Sequence, residues 1–152
     1  MTETYSTQIL KDEAATIHTA EVLATQLKPG QVIYLHGDLG AGKTTLVRGI
    51  LHALGHVGKV KSPTYTIVEP YALSLGVCYH FDLYRFQDPE EWEAAGFRDY
   101  FNPDSLCLVE WPARAESVLP RPDIEIQFEI LPHGRVLQII SQHALALEGL
   151  CQ

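Results

Sequence analysis

Gln31-Val-Ile-Tyr-Leu-His36, Gly37-Asp-Leu-Gly-Ala-Gly-Lys-Thr44 and Thr45-Leu-Val-Arg-Gly-Ile-Leu-His-Ala-Leu54 decide the fold. The middle stretch has the form G-x-x-x-x-G-K-[ST], a phosphate-binding loop. Its glycines let the backbone turn back so that successive N–H groups point at phosphate oxygens. Gly37, Asp38, Leu39, Gly40, Ala41 and Gly42 form the cradle. Lys43 brings a compact positive charge to the terminal phosphates, and the Thr44 hydroxyl can complete a magnesium shell. The flanks agree with this reading. Residues 31–36 are a β-branched and aromatic run typical of a buried strand. From Lys43 to Leu54 the apolar Leu46, Val47, Ile50, Leu51 and Leu54 recur at helical spacing, and Gly55 ends the run. A strand, a glycine loop and a helix in that order put the positive end of the helix dipole under the phosphates.

Working outward, Tyr5 to Leu10 reads as a first strand. Asp12 caps a helix expected to reach Leu27, with Ile17, Ala20, Leu23, Ala24 and Leu27 on one face. Val57 to Lys61 is a short connector. Thr64 to Tyr71 reads as a strand, which Pro70 places at an edge or stops early. Gly76 to Asp82 is another strand, and Pro89 with Glu90 and Glu91 opens a helix through about Ala95. Leu106 to Glu110 has the continuous apolar character of a parallel, doubly covered strand. Asp123 to Leu131 alternates Ile124, Ile126, Phe128 and Ile130, and Arg135 to Ile140 follows Pro132-His133-Gly134, a hairpin with one face inward. The expected class is α/β, with nucleotide-binding strands at the centre of a mixed, partly antiparallel sheet.

The 152 residues suit one domain over 1–152 with a single core. With 46% hydrophobic and 20% charged residues the chain has an ordinary globular balance. Its net charge of −8 disfavours a direct grip on a nucleic-acid backbone, since that affinity comes from Lys and Arg. Contact with RNA is therefore expected through a partner. Cys78, Cys107 and Cys151 form no CxxC pair and leave one thiol over, as in a reducing compartment. No basic stretch leads into an apolar one at the N-terminus, and no apolar run is long enough to cross a bilayer. The expected location is cytoplasmic, with no membrane role. Seven histidines do not cluster at zinc-ligand spacing.

Nucleotide binding alone needs only the loop. Hydrolysis also needs carboxylates that hold magnesium or orient water, usually at the C-terminal ends of neighbouring strands. Asp82 ends Val77-Cys-Tyr-His-Phe-Asp82 and Glu110 ends Leu106-Cys-Leu-Val-Glu110, positions where a purely structural acid is poorly placed. Each can also be read as a helix cap or loop acid. Thr64, in Ser62-Pro-Thr-Tyr-Thr66, can sense a terminal phosphate as switch threonines do, or cap a proline-fixed turn.

Gly37-Asp-Leu-Gly-Ala-Gly-Lys-Thr-Thr45, Ser62-Pro-Thr-Tyr-Thr66, His80-Phe-Asp-Leu-Tyr-Arg85 and Val109-Glu-Trp-Pro112 occur in that order and spacing. Together they resemble the bacterial TsaE family (formerly YjeE), the small ATPase of tRNA threonylcarbamoyladenosine biosynthesis, over about residues 5 to 140. The resemblance implies a three-layer P-loop fold that binds ATP with Mg2+. It implies action alongside a threonylcarbamoyl-transferase subunit and its scaffold paralogue, of TsaD and TsaB type, with tRNA met only through that complex. Carried over motif by motif, Gly37 to Thr45 cradle ATP, Lys43 meets the terminal phosphates, and Thr44 and Glu110 ligate magnesium. Asp82 orients the attacking water or a magnesium-bound water, and Thr64 is the phosphate-sensing switch. Which of Asp82 and Glu110 is base and which is metal ligand stays open.

Other residues carry weaker expectations. Trp111 can contact nucleotide or partner, though a Trp after a strand is at least as often core packing. Arg135 can reach a nucleotide or sit exposed on the hairpin. His80 shares a strand face with Asp82 and reads more readily as a satisfied core histidine than as part of the site. His36 has no expected catalytic role. Tyr84, Arg85 and the stretch Glu90 to Tyr100 have the composition of interface anchors. A small-molecule kinase would need an arginine-rich lid, for which 11 Lys and Arg leave little material. A GTP switch would need an Asn-Lys-x-Asp segment, which the chain lacks. A nucleotide-dependent binding module that never hydrolyses remains the rival from another class.

Overall fold

The computed structural model describes residues 4–143 and 145, so Cys151 and the first three residues lie outside the described residues. The strands are β1 (Thr4–Leu10), β2 (Val32–His36), β3 (Val68–Leu73), β4 (Gly76–Asp82), β5 (Ser105–Glu110), β6 (Ile124–Ile130) and β7 (Arg135–Ser141). The helices are α1 (Glu13–Ala24), α2 (Lys43–Ala53) and α3 (Pro89–Ala95), with 3₁₀ turns at Phe97–Tyr100 and Pro112–Ala115. All seven strands join one sheet in the order β1-β7-β6-β2-β5-β4-β3. The central strands β6, β2, β5 and β4 are mutually parallel, while β6–β7, β7–β1 and β3–β4 pair antiparallel. The mixed P-loop α/β sheet expected from the sequence is therefore present, with Pro70 on an edge strand where its missing N–H is tolerated.

Two apolar clusters cover the sheet. On one side α1 and α2 bring Ala20, Leu23, Leu46 and Ile50 onto Ile33, Leu35, Leu106 and Ile126. On the other, Trp92 and Phe97 pack on Phe81, Phe86 and Val109. Strand β5 lies between both layers, which is why Ser105–Glu110 is buried along its whole length. Cys78 and Cys107 are free and buried, one in each cluster. Burial pushes both thiols up, Cys107 to about 12. Among the described residues no helix is long and apolar enough to cross a membrane.

Three expectations need correction. Helix α1 stops at Ala24 rather than Leu27, because its end tightens into i→i+3 bonds: Gln26 N–H donates to Leu23 O at 2.8 Å and Thr25 Oγ1 to Val22 O at 2.7 Å. Residues 64–67 form a turn rather than the start of β3. Ile67 N–H donates to Pro63 O at 2.7 Å, while Ile67 O accepts from Asp82 N–H at 2.8 Å. That pair of bonds holds Ile67 at φ 72°, a left-handed conformation unusual for a β-branched residue. Finally, Trp92 and Phe97 are core rather than interface anchors: Trp92 has no exposed surface and packs against Phe81, Phe86 and Phe101.

Helices α1 and α2 meet closely because Gly49 has no side chain. A Cβ there would lie 2.6 Å from Ala20 Cβ and 3.2 Å from Ile17 Cδ1. Gly49→Ala should therefore destabilise the protein by about 1–3 kcal/mol, despite the ~1 kcal/mol by which alanine is the better helix former. A lowered urea midpoint at unchanged slope checks this. Adding Ala20→Gly should restore part of the loss.

Candidate nucleotide site

The C-terminal ends of β2, β4 and β5 open at one pole of the sheet. Strand β2 leads into the loop, and the parallel register sets Glu110 of β5 beside Leu35 of β2 and Asp82 of β4. Loop, Asp82 and Glu110 thus meet because three parallel strands end together. The loop itself sits on Phe128 of β6. Gly37 (φ 148°) and Gly42 (φ 116°) face that side chain so closely that added Cβ atoms would stand 3.0 Å and 3.3 Å from it. Both positions need glycine for conformation and for space. Inward alternation on β6 placed Phe128 in the core, but nothing local in the sequence marked it as the floor of the loop.

Lys43 opens α2 and is 4% exposed. Its Nζ donates to Gly37 O at 2.5 Å and lies 3.7 Å from the centre of the Trp111 ring. Desolvation lowers its pKa below the ordinary 10.5, opposed by the nearby Glu110, Asp82 and Asp38 carboxylates. The lysine is held as a cation by acids and an aromatic face, but in a place where charge is costly. Trp111 adopts φ 57°, another left-handed residue, and its ring lies 4.9 Å from Tyr84. It is half-buried, so it combines packing against the second cluster with a roof over Lys43.

Asp82 is almost buried. Its Oδ1 accepts from Tyr84 N–H at 3.0 Å, and its Oδ2 receives a long 3.4 Å contact from the Thr64 hydroxyl. Thr64 also exchanges a 2.7 Å hydrogen bond with Ser62. Glu110 is 3% exposed, and its Oε2 stands 2.5 Å from His80 Nε2. Its Oε1 carries no hydrogen bond among the described residues. His80 is buried in the core, as the sequence suggested, and its partner is Glu110, one of the two candidate acids. Strand alternation put it on the Asp82 face, and only the packing of β4 against β5 showed which acid it meets.

Asp38, Leu39, Gly40 and Thr44 are exposed around the loop. Arg135 crosses from β7 to the loop, donating to Gly40 O at 3.3 Å and to Gly134 O at 2.8 Å. It lines a cleft of about 250 Å³ with Lys11, Asp12, Gly40, Gly42 and Thr45. A larger cavity of about 710 Å³ lies at the opposite pole, by Lys28, Gly30, Pro103 and Arg121, away from every residue of the loop. His36 pairs with Glu125 at 3.1 Å and takes no part.

Comparison with known proteins agrees with this geometry. A family model described as threonylcarbamoyl adenosine biosynthesis protein TsaE matches residues 10–136. The chain is similar to the tRNA threonylcarbamoyladenosine biosynthesis protein TsaE of Haemophilus influenzae, with 46% identity over 90% of this chain and 89% of that one. The Bacillus subtilis protein of the same name is 43% identical over 70% of this chain and 66% of its own. Among solved structures, Bacillus subtilis YdiB superposes with a TM-score of 0.75 at 29% identity, covering 93% of this chain and 87% of that one.

Proposed function

The chain belongs to the TsaE family, with a role in the threonylcarbamoyladenosine modification of tRNA, and we propose that it serves there as an ATP-hydrolysing subunit. The observation that carries this reading is a buried lysine at the start of α2, flanked by two nearly buried strand-end carboxylates at an exposed glycine loop. A nucleotide-binding module that never hydrolysed would need the loop and Lys43. It would use one strand-end acid, Glu110, for a metal ion, but not a second, Asp82, set beside it and nearly out of water.

In this reading the backbone from Gly37 to Thr45 binds the phosphates, and Lys43 exchanges its Gly37 carbonyl for the terminal phosphates. Arg135 and the cleft beside it receive the nucleoside side. The residues present fit a magnesium ion: a hard cation takes oxygen ligands, and Thr44 and Glu110 supply an exposed hydroxyl and an unpaired carboxylate oxygen. When bound, the ion would neutralise charge on the phosphates. Asp82, which accepts from Tyr84 N–H, orients the attacking water in this reading, and Thr64, which contacts Asp82, reads the terminal phosphate.

The reading extends to partners of TsaD and TsaB type in the cytoplasm, with tRNA met only through them. The exposed Arg85 over Tyr65, 4.4 Å from its ring, beside Tyr84, forms the proposed contact face. Magnesium-dependent ATP hydrolysis, measured with the chain alone and with both partners, tests the whole proposal. Slow turnover alone and marked stimulation by the partners are the expected result, and Arg85→Glu should remove the stimulation while sparing the basal rate. Robust turnover that ignores the partners would count against a subunit role and return the chain to the small-molecule kinase reading.

A further inference from the structure

His80 and Asp82 leave the same face of β4, two residues apart. His80 lies deeper, with no exposed surface. One ring nitrogen, Nε2, meets Glu110 Oε2 at 2.5 Å, and the other, Nδ1, is buried with no hydrogen-bond partner among the described residues. These two facts place the proton. At that separation one hydrogen must lie between Nε2 and Oε2. A second hydrogen on Nδ1 would be an orphaned donor in a place water does not reach. The arrangement that leaves no donor unsatisfied is a neutral ring donating from Nε2, with the bare Nδ1 lone pair turned into the packing.

We infer that His80 is a positioning residue: its Nε2–H pins Glu110 through Oε2 and so presents Oε1 as the oxygen offered to a divalent cation. This rests on the reading of Glu110 as a magnesium ligand. A glutamate side chain has three rotatable bonds, and a carboxylate tied at one oxygen by an immobile donor reaches a cation without first losing that freedom. With Oε2 taken by His80, Glu110 would offer a cation one oxygen, and Thr44 could offer another. Hydrogen-bonding partners of metal ligands typically set affinity by about 10- to 100-fold.

The test measures binding rather than turnover. Manganese, as a magnesium surrogate, is titrated by electron paramagnetic resonance into the protein with ADP, at one pH. The proteins are wild type, His80→Leu, His80→Gln and Glu110→Ala, and metal-free ADP affinity is recorded for each. His80→Leu should weaken metal binding by about 10- to 100-fold and leave metal-free ADP affinity unchanged. His80→Gln, which restores an N–H donor at similar reach, should recover most of the loss. Tight metal binding by His80→Leu together with weak binding by Glu110→Ala would overturn the inference and leave the Glu110 reading standing. Unchanged binding by Glu110→Ala would remove the Glu110 reading itself. A nitrogen-15 histidine spectrum of the wild type decides independently of whether His80→Leu folds: a protonated Nε2 supports the inference, and a bare Nε2 overturns it.

Discussion

Lys43→Ala should lower kcat/KM for ATP hydrolysis by about 10²- to 10³-fold, some 3–4 kcal/mol of transition-state stabilisation, as loss of one preorganised charge donor does elsewhere. The size of the effect follows from the burial of Lys43. At 4% exposure the ammonium acts with little competing water, so a phosphate oxygen in its place gains more than it would at the surface. The stability of the nucleotide-free protein should respond in the opposite sense. Burial lowers the Lys43 pKa below 10.5, so in the window just under that value the unfolded chain binds more protons than the folded one. Stability contributed by this residue therefore rises with pH there. Below the window Lys43 is charged in both states and the full desolvation cost is present. Unfolding free energies of wild type and Lys43→Ala, measured from neutral pH towards 10, should show the wild type gaining on the variant as pH rises. Hydrolysis by Lys43→Ala at the wild-type rate would remove the catalytic reading of the loop.

How far the site was legible depends on whether its determinants are local. Helix α3 spans the expected residues because its ends are fixed by neighbours in sequence: the Asp88 side chain accepts from Glu90 N–H at 2.9 Å, Pro89 opens the first turn, and Gly96 closes it at φ 72°. Asp82 and Glu110 were readable as strand-end acids because both follow apolar runs, and parallel pairing set them side by side. The turn at Ser62–Ile67 was readable only as a proline-fixed turn around Pro63, and its extension through Ile67 was not. Its shape comes from Asp82 N–H, fifteen residues beyond Ile67, and local preference for a β-branched residue points the other way. Trp92 and Phe97 were misread for a related reason. A seven-residue amphipathic helix carries the same aromatic pattern whether it faces a partner or its own sheet, and only the position of β4 and β5 beneath it decides. His80 falls between these cases: the sequence gave its strand face and its place in the core, while its partner depended on how β4 registers against β5.

Asp82→Asn should reduce hydrolysis by about 10²- to 10⁴-fold, the usual contribution of a positioned acid–base group, while ATP still binds. The substitution keeps the shape that the fold uses. An amide oxygen can still accept from Tyr84 N–H, and the amide nitrogen at the Oδ2 position can donate to Thr64, whose hydroxyl reverses its role. What disappears is a negative charge next to Lys43, one of the charges that hold its pKa up. Removing it leaves the site less repulsive to phosphate, so metal-free ATP affinity should be unchanged or raised. Binding kept and chemistry lost is therefore the signature of Asp82 acting on water. An equal loss of both would mean that Asp82 shapes the loop, and its side-chain contact with Thr64 in the Ser62–Ile67 turn would be the route. The same variant separates the two functional classes. If the modification assembly turns over normally with Asp82→Asn while hydrolysis is abolished, the chain works as a nucleotide-dependent binding module. If turnover stops with hydrolysis, breaking the phosphate bond is part of each cycle.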